Sequence, residues 1–253
     1  MSVPGCEPTS KFLHPTVADG DANMAYNDHL QAGYQQLNAN FQASTAKQVL
    51  RNNFENDLCR FGHHNINRII CLGVRRTHAF QQLVFIKSLQ DILKHQHDIK
   101  DVYFEIDDTI TTHEQSFLGS LGFTLLAANA NEKDSIYAKI TTRTLIFAPG
   151  INFNSLHTAL RYSGFAVLIC PDIDDTVAAM RRSDVIHTAP KKIIDLSRIQ
   201  SAGFKRRMNA MATGLGEIGG MWCLGMSVHW MPAGEMTERR LVPLEWGQPM
   251  PER

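Results

Sequence analysis

Gly73 stands where a short β-prone run, Ile69 to Leu72, gives way to a helical pattern. A glycine at a strand-to-helix turn lets backbone N–H groups approach a phosphate, and the positive end of the following helix adds attraction. The dinucleotide fingerprint uses three glycines. This turn has one, followed by Val74, Arg75 and Arg76. The arginines can supply charge-assisted hydrogen bonds in place of backbone donors, or be merely solvated. A second set is Glu105, Asp107 and Asp108, at the end of another apolar run. An acid there can hold ribose hydroxyls. Asp107, however, lies more than thirty residues after Gly73, where ~20 is usual, and a strand-end acid also serves as a turn or cap residue. Gly73, Arg75, Arg76 and Asp107 form the candidate ligand set.

Other constellations are weaker. Asp172, Asp174 and Asp175 have the oxygen ligands a hard cation needs, but without the glycine and terminal Glu of a calcium loop; capping a helix near Thr176 is the competing role. His63 and His64 share a polar linker. His95 and His97 lie near a helix C-terminus, where a cation is electrostatically favoured without any ligand. Cys71, His78 and His229 can meet only through the fold. Lys205, Arg206 and Arg207, with Lys191 and Lys192, form either a basic patch or a solvated face. No nucleophile elbow, P-loop or metalloprotease helix is present, so no catalytic residue and no metal ligand is assigned. No cofactor is firmly implied.

The elements that must position these residues are legible in the hydrophobic pattern. Residues 1 to 22 read as an arm without apolar periodicity. From Met24, Leu30, Tyr34, Leu37 and Phe41 recur on one helical face, with Asp21 or Asn23 as cap. A second helix carries Val49, Leu50, Phe54, Leu58 and Phe61. Strands are expected at 69–72, 102–106, 123–126, 144–148 and 165–169. They alternate with helices over 77–95, 112–121 and 154–162. Thr111 or Thr112 caps the middle one, with Glu114 in its first turn. Continuous apolar strands alternating with amphipathic helices predict a Rossmann-like α/β fold, a mostly parallel sheet with helices on both faces, preceded by an N-terminal helical segment. Such sheets bind ligands at their carboxyl edge, here beside Gly73, Arg75, Asp107 and Pro149-Gly150. Further on, Lys192 to Leu196 reads as a strand, Phe204 to Met211 as basic and helical in tendency, and Met221 to Met231 as β-like. One domain over 23–231 and a loose tail over 232–253 complete the expected organisation.

Composition narrows the function classes. The 253 residues carry 25 Lys plus Arg against 25 Asp plus Glu, so no global field favours nucleic acid or anionic membrane. The five cysteines are odd in number and none forms a Cys-x-x-Cys pair, which argues against disulfides and zinc and for a reducing compartment. No segment approaches the ~18 apolar residues of a membrane span, and the first twenty residues lack signal-peptide character.

The order of elements resembles a known family. RIICLG followed by QQLVFIKSLQDIL, then VYFEID, EQSFLGSLGFTLL and TLIFAPGINFNSLHTAL, are similar to the first four strands and their helices in the sensitivity-to-red-light-reduced (SRR-like) domain. AYNDHLQAGYQQLNANFQAS and SVHWMP resemble fungal members. The resemblance spans roughly residues 24 to 232. It implies a non-enzymatic regulatory or interaction protein, cytoplasmic or nuclear. The processes it implies are control of gene expression, circadian or light responses, and haem biosynthesis. The family offers no established catalytic residues to carry over. Three loops depart from its pattern. Gly73-Val74-Arg75-Arg76 replaces a second glycine and a serine, Cys170-Pro171-Asp172 replaces Gly-Asn-Ser, and Leu224-Gly225-Met226 replaces Asn-Asp-Thr before the Ser-x-His. The expected partner is a protein or a small anionic ligand at the sheet edge. The alternative is an enzyme or accessory protein of small-molecule metabolism that binds a nucleotide-type ligand there.

Overall fold

The computed structural model describes residues 20–61, 65–74, 78–128, 134–151, 155–156, 158–159, 165–175, 178, 204–208 and 221–230. Two helices open this part of the chain, α1 (Gly20–Ala43) and α2 (Thr45–Phe61). The serine between them accounts for the break. Ser44 Oγ donates to the Phe41 carbonyl at 2.7 Å and accepts from the Ala46 N–H at 3.2 Å, so one hydroxyl closes α1 and caps α2. Since α1 begins at Gly20, Asp21 and Asn23 lie inside its first turn and not ahead of it, contrary to the capping role expected of them.

Among the described residues, seven strands form one sheet: β1 (Arg68–Cys71), β2 (Asp101–Ile106), β3 (Thr124–Ala127), β4 (Thr144–Phe147), β5 (Val167–Pro171), β6 (Phe204–Arg207) and β7 (Met226–Trp230). Their spatial order is β3-β2-β1-β4-β5-β7-β6. The first five are parallel, and β7 runs antiparallel to both β5 and β6. The architecture is therefore α/β and mostly parallel, as a Rossmann-like fold requires. Helix α3 (Ala79–Lys94) connects β1 to β2, and α4 (Thr112–Ser120) connects β2 to β3.

Each strand divides its side chains between two cores. Ile69, Cys71, Val102, Phe104, Leu145, Phe147, Val167, Ile169, Val228 and Trp230 join the buried faces of α1 to α4. Ile70, Leu72, Ile146, Ala148, Leu168 and Cys170 join the other core, with Ile136 and Tyr137 from a 3-10 turn and Leu156 and Ala159 after β4. Burial on both faces explains why these strands read as unbroken apolar runs. In α1, Leu30, Tyr34 and Phe41 are buried and Leu37 packs against them, so the periodic face is the inner one. That face lies mainly on α3 and α4, while Phe54 of α2 reaches Trp230 and Phe85 in an aromatic cluster with ring centroids 5.9 and 6.4 Å away. Thr111 is the cap of α4. Its Oγ1 accepts from Glu114 N–H, and Glu114 Oε2 accepts from Thr111 N–H at 2.7 Å. Gly122, at φ +83°, ends that helix turn as expected.

The segment expected to be helical from Phe204 is a strand at its start. Phe204–Arg207 pairs with Ser227–Trp230. Helical propensity of Lys and Arg is a weak preference, and an unpaired edge of β7 offers the same backbone groups a full ladder of partners. The expected strand at Lys192 to Leu196 lies outside the described residues, as do Lys191, His63 and His64.

Candidate functional site

Helices α3 and α4 follow β1 and β2 on one face, whereas the connection from β3 into β4 contributes to the opposite core. The chain therefore changes direction between β1 and β4, and the crevice above their carboxyl ends is the topological switch point. Gly73 sits there at φ +57°. A Cβ on Gly73 would lie 2.7 Å from the Ile151 nitrogen and 2.9 Å from the Gly150 carbonyl carbon. The glycine is thus required by two contacts at once, a left-handed backbone and the turn after β4 pressed against it. The Pro149-Gly150 turn and Gly73 do converge at this edge.

The Gly73 N–H, the donor a bound phosphate would use, is already committed. It donates to Glu105 Oε2 at 2.8 Å, and the Tyr137 hydroxyl donates to Glu105 Oε1 at 3.2 Å. Register explains the reach: Phe104 lies opposite Cys71, so Glu105 leaves β2 level with the residues following β1. Burial pushes the Glu105 carboxyl above its ordinary value; the bonds from Gly73 and Tyr137 pull it down, and Asp107 adds a further upward push. An acid inside an otherwise apolar strand was the available sign. Asp107, one step beyond the strand, is exposed, and its Oδ1 accepts from Thr109 N–H and Oγ1 at 2.9 and 2.5 Å. Both Gly73 and Asp107 border a pocket of about 110 Å³. Arg75 and Arg76 lie outside the described residues.

The other candidates resolve into structural roles. Asp172 is buried, and its Oδ1 accepts from the backbone N–H groups of Asp174 and Asp175 at 2.9 and 3.4 Å. It caps a helical turn that begins at Ile173, close to where capping was expected. Its second oxygen accepts from Ser227 Oγ at 2.8 Å, and its N–H donates to the Gly225 carbonyl at 2.7 Å. Ser227 is paired with Cys170 across the β5–β7 ladder. Fifty-five residues separate Asp172 from Ser227, so no local pattern announces their bond. No group of three or more His, Cys, Asp or Glu suited to a metal ion occurs among the described residues. His97 Nδ1 accepts from Asn65 N–H at 3.2 Å, a loop-closing contact. Cys71 faces the α1–α4 core, whereas His229 alternates with Val228 and Trp230 and so faces the other way; the sheet separates them. Cys71, Cys170 and Cys223 are buried thiols outside any disulfide, and burial pushes Cys223 up to about 12 and Cys71 higher still.

Among the described residues, no helix is long and apolar enough to cross a membrane. No curated protein and no solved structure matches the chain significantly. The family comparison does give a match. The model of the SRR1 domain aligns with residues 38–216, which is more than half of the chain and takes in α2, α3, α4 and strands β1 to β6; the chain belongs to the SRR1 domain family.

Proposed function

We propose that this chain is a regulatory or interaction protein that works by recognition and carries out no chemical turnover. Its setting is the cytoplasm or nucleus, in the control of gene expression, circadian or light responses, or haem biosynthesis. The observation that carries the reading is the bond from Gly73 N–H to Glu105. In a dinucleotide-binding fold that N–H and the space above it belong to the pyrophosphate. Here a carboxylate stands in that place, and a phosphate arriving would meet like charge and a donor already used. The other departing loops are also satisfied internally, through Asp172, Ser227 and Gly225. Any small ligand at the edge is held beside Gly73 and Asp107, with Arg75 and Arg76 as the remaining source of positive charge.

Calorimetric titration with NAD, NADP and S-adenosylmethionine tests this reading. The expected result is no binding tighter than about millimolar, or −4 kcal/mol, in the wild type. An Arg75→Ala, Arg76→Ala double variant abolishes any residual heat. Micromolar NAD binding unaffected by the double change overturns both the closed edge and the role given to the arginines. Transcript profiles of cells with and without the chain test the regulatory part; identical profiles contradict it.

A further inference from the structure

The cavity beside Gly73 is walled by side chains from four elements: Leu30 of α1, Phe80 and Leu83 of α3, Phe104 of β2, and Phe117 and Leu118 of α4. Three of these walls are aromatic, and each is braced from a second direction. Phe80 meets Phe117 edge to face with ring centroids 6.2 Å apart. It also rests against α1 where Gly33 has no side chain; a Cβ on Gly33 would lie 2.9 Å from Phe80 Cε2. Phe117 in turn meets Tyr34 at 6.0 Å, and Phe104 meets Phe123 at 5.4 Å, both edge to face. Walls held in this way do not fall inward, so a volume of about 110 Å³ persists between them. Empty apolar space forfeits dispersion contacts on every wall, and a guest of the right shape recovers them.

Size and lining select that guest. An apolar cavity of roughly 150 Å³ holds a benzene ring, so about 110 Å³ holds one ring and no second ring fused to it. A charged group in this space would lose its hydration, which favours a neutral guest. Ring edges carry partial positive charge and ring faces negative, so a further aromatic ring continues the edge-to-face packing of Phe80 and Phe117. We propose that this cavity binds a small neutral molecule through a single aromatic ring, seated among Phe80, Leu83, Phe104 and Phe117. Charge at the cavity mouth plays no part in the selection. This goes beyond the recognition role argued above, and it stands or falls apart from whether dinucleotides bind.

Four probes test it: toluene, methylcyclohexane, benzoate and benzylamine, each titrated against the full chain and followed by chemical-shift changes. Toluene should bind with a Kd of about a millimolar or tighter. It should bind at least about twofold tighter than methylcyclohexane, the lower end of what an edge-to-face contact provides. Benzoate and benzylamine should both bind more weakly than toluene. Phe80→Leu, at a half-buried position, keeps an apolar wall and should cancel the preference for toluene over methylcyclohexane. Ala79→Leu, which extends a lining residue into the space, should weaken toluene at least about tenfold. The proposal is overturned by any of four results. These are no toluene binding at millimolar concentration, methylcyclohexane or either charged probe bound as tightly as toluene, a Phe80→Leu variant that keeps the preference, or an Ala79→Leu variant with unaltered toluene affinity. The comparisons on the wild type decide the ring and charge parts even where a variant fails to fold.

Discussion

Substituting Gly73 by alanine isolates what the switch-point turn demands. The backbone there has φ +57°. An L-residue pays about 1–2 kcal/mol to adopt it. The added methyl would also lie 2.7 Å from Ile151 N and 2.9 Å from both Gly150 C and Ile151 Cα. All three are backbone atoms and cannot swing aside, so the turn after β4 must move. Overpacking of this kind costs about 1–3 kcal/mol. The sum is about 2–5 kcal/mol, and the shift also strains the bond to Glu105. Two other glycines serve as controls. Gly122 has φ +83° and open space where its Cβ would go, so Gly122→Ala should cost only the backbone part, about 1–2 kcal/mol. Gly119 lies within α4, also with open space, and Gly119→Ala should stabilise by about 0.5–1 kcal/mol. Urea denaturation of the wild type and the three variants measures the order directly. If Gly73→Ala costs no more than Gly122→Ala, the close approach of the two loops is absent and the account of the closed edge fails with it.

Three further outcomes follow from the same contacts. The Glu105 carboxyl is raised in the folded state by burial, so it contributes stability below its unfolded pKa that is lost as pH climbs through the folded value. Glu105→Gln keeps one acceptor oxygen, for the Gly73 N–H, and sets an NH2 that only donates against the Tyr137 hydroxyl, and it should gain stability relative to wild type on going from about pH 4 to about pH 8; a gain that shrinks over that range refutes the assignment. Cys71, Cys170 and Cys223, being buried thiols outside any disulfide, should resist a thiol reagent at neutral pH and react fully once the chain is denatured without reductant; fast native labelling of Cys71 would contradict its burial. Phe41→Ala, at a side chain only 3% exposed, should destabilise by about 3–5 kcal/mol in a denaturant titration, and an effect below about 0.5 kcal/mol would mean that α1 does not cover α3 and α4.

The sequence by itself determined the class of fold and its layering. Runs such as Ile69 to Leu72 and Leu145 to Ala148 are apolar at every position because both faces of their strands are buried, and that pattern is local. The inner face of α1 and the cap of α4 are equally local, since residues three or four apart meet on a helix and Thr111 reaches Glu114 within one turn. Gly73 was legible as a special turn. What it is special for was not, because its neighbours are Gly150 and Ile151, brought in by the crossover, and Glu105, brought in by the register of β1 with β2. Asp107 and Glu105 look alike as acids at a strand end; only the reach across β1 decides which one takes the Gly73 N–H. Likewise the strand at Phe204 exists because β7 offers it a ladder, and the Asp172–Ser227 bond because β5 and β7 lie side by side. Periodicity reports which side of an element is buried, but hydrogen-bond partners far apart in the chain are chosen by topology, and the candidate site is built from such partners.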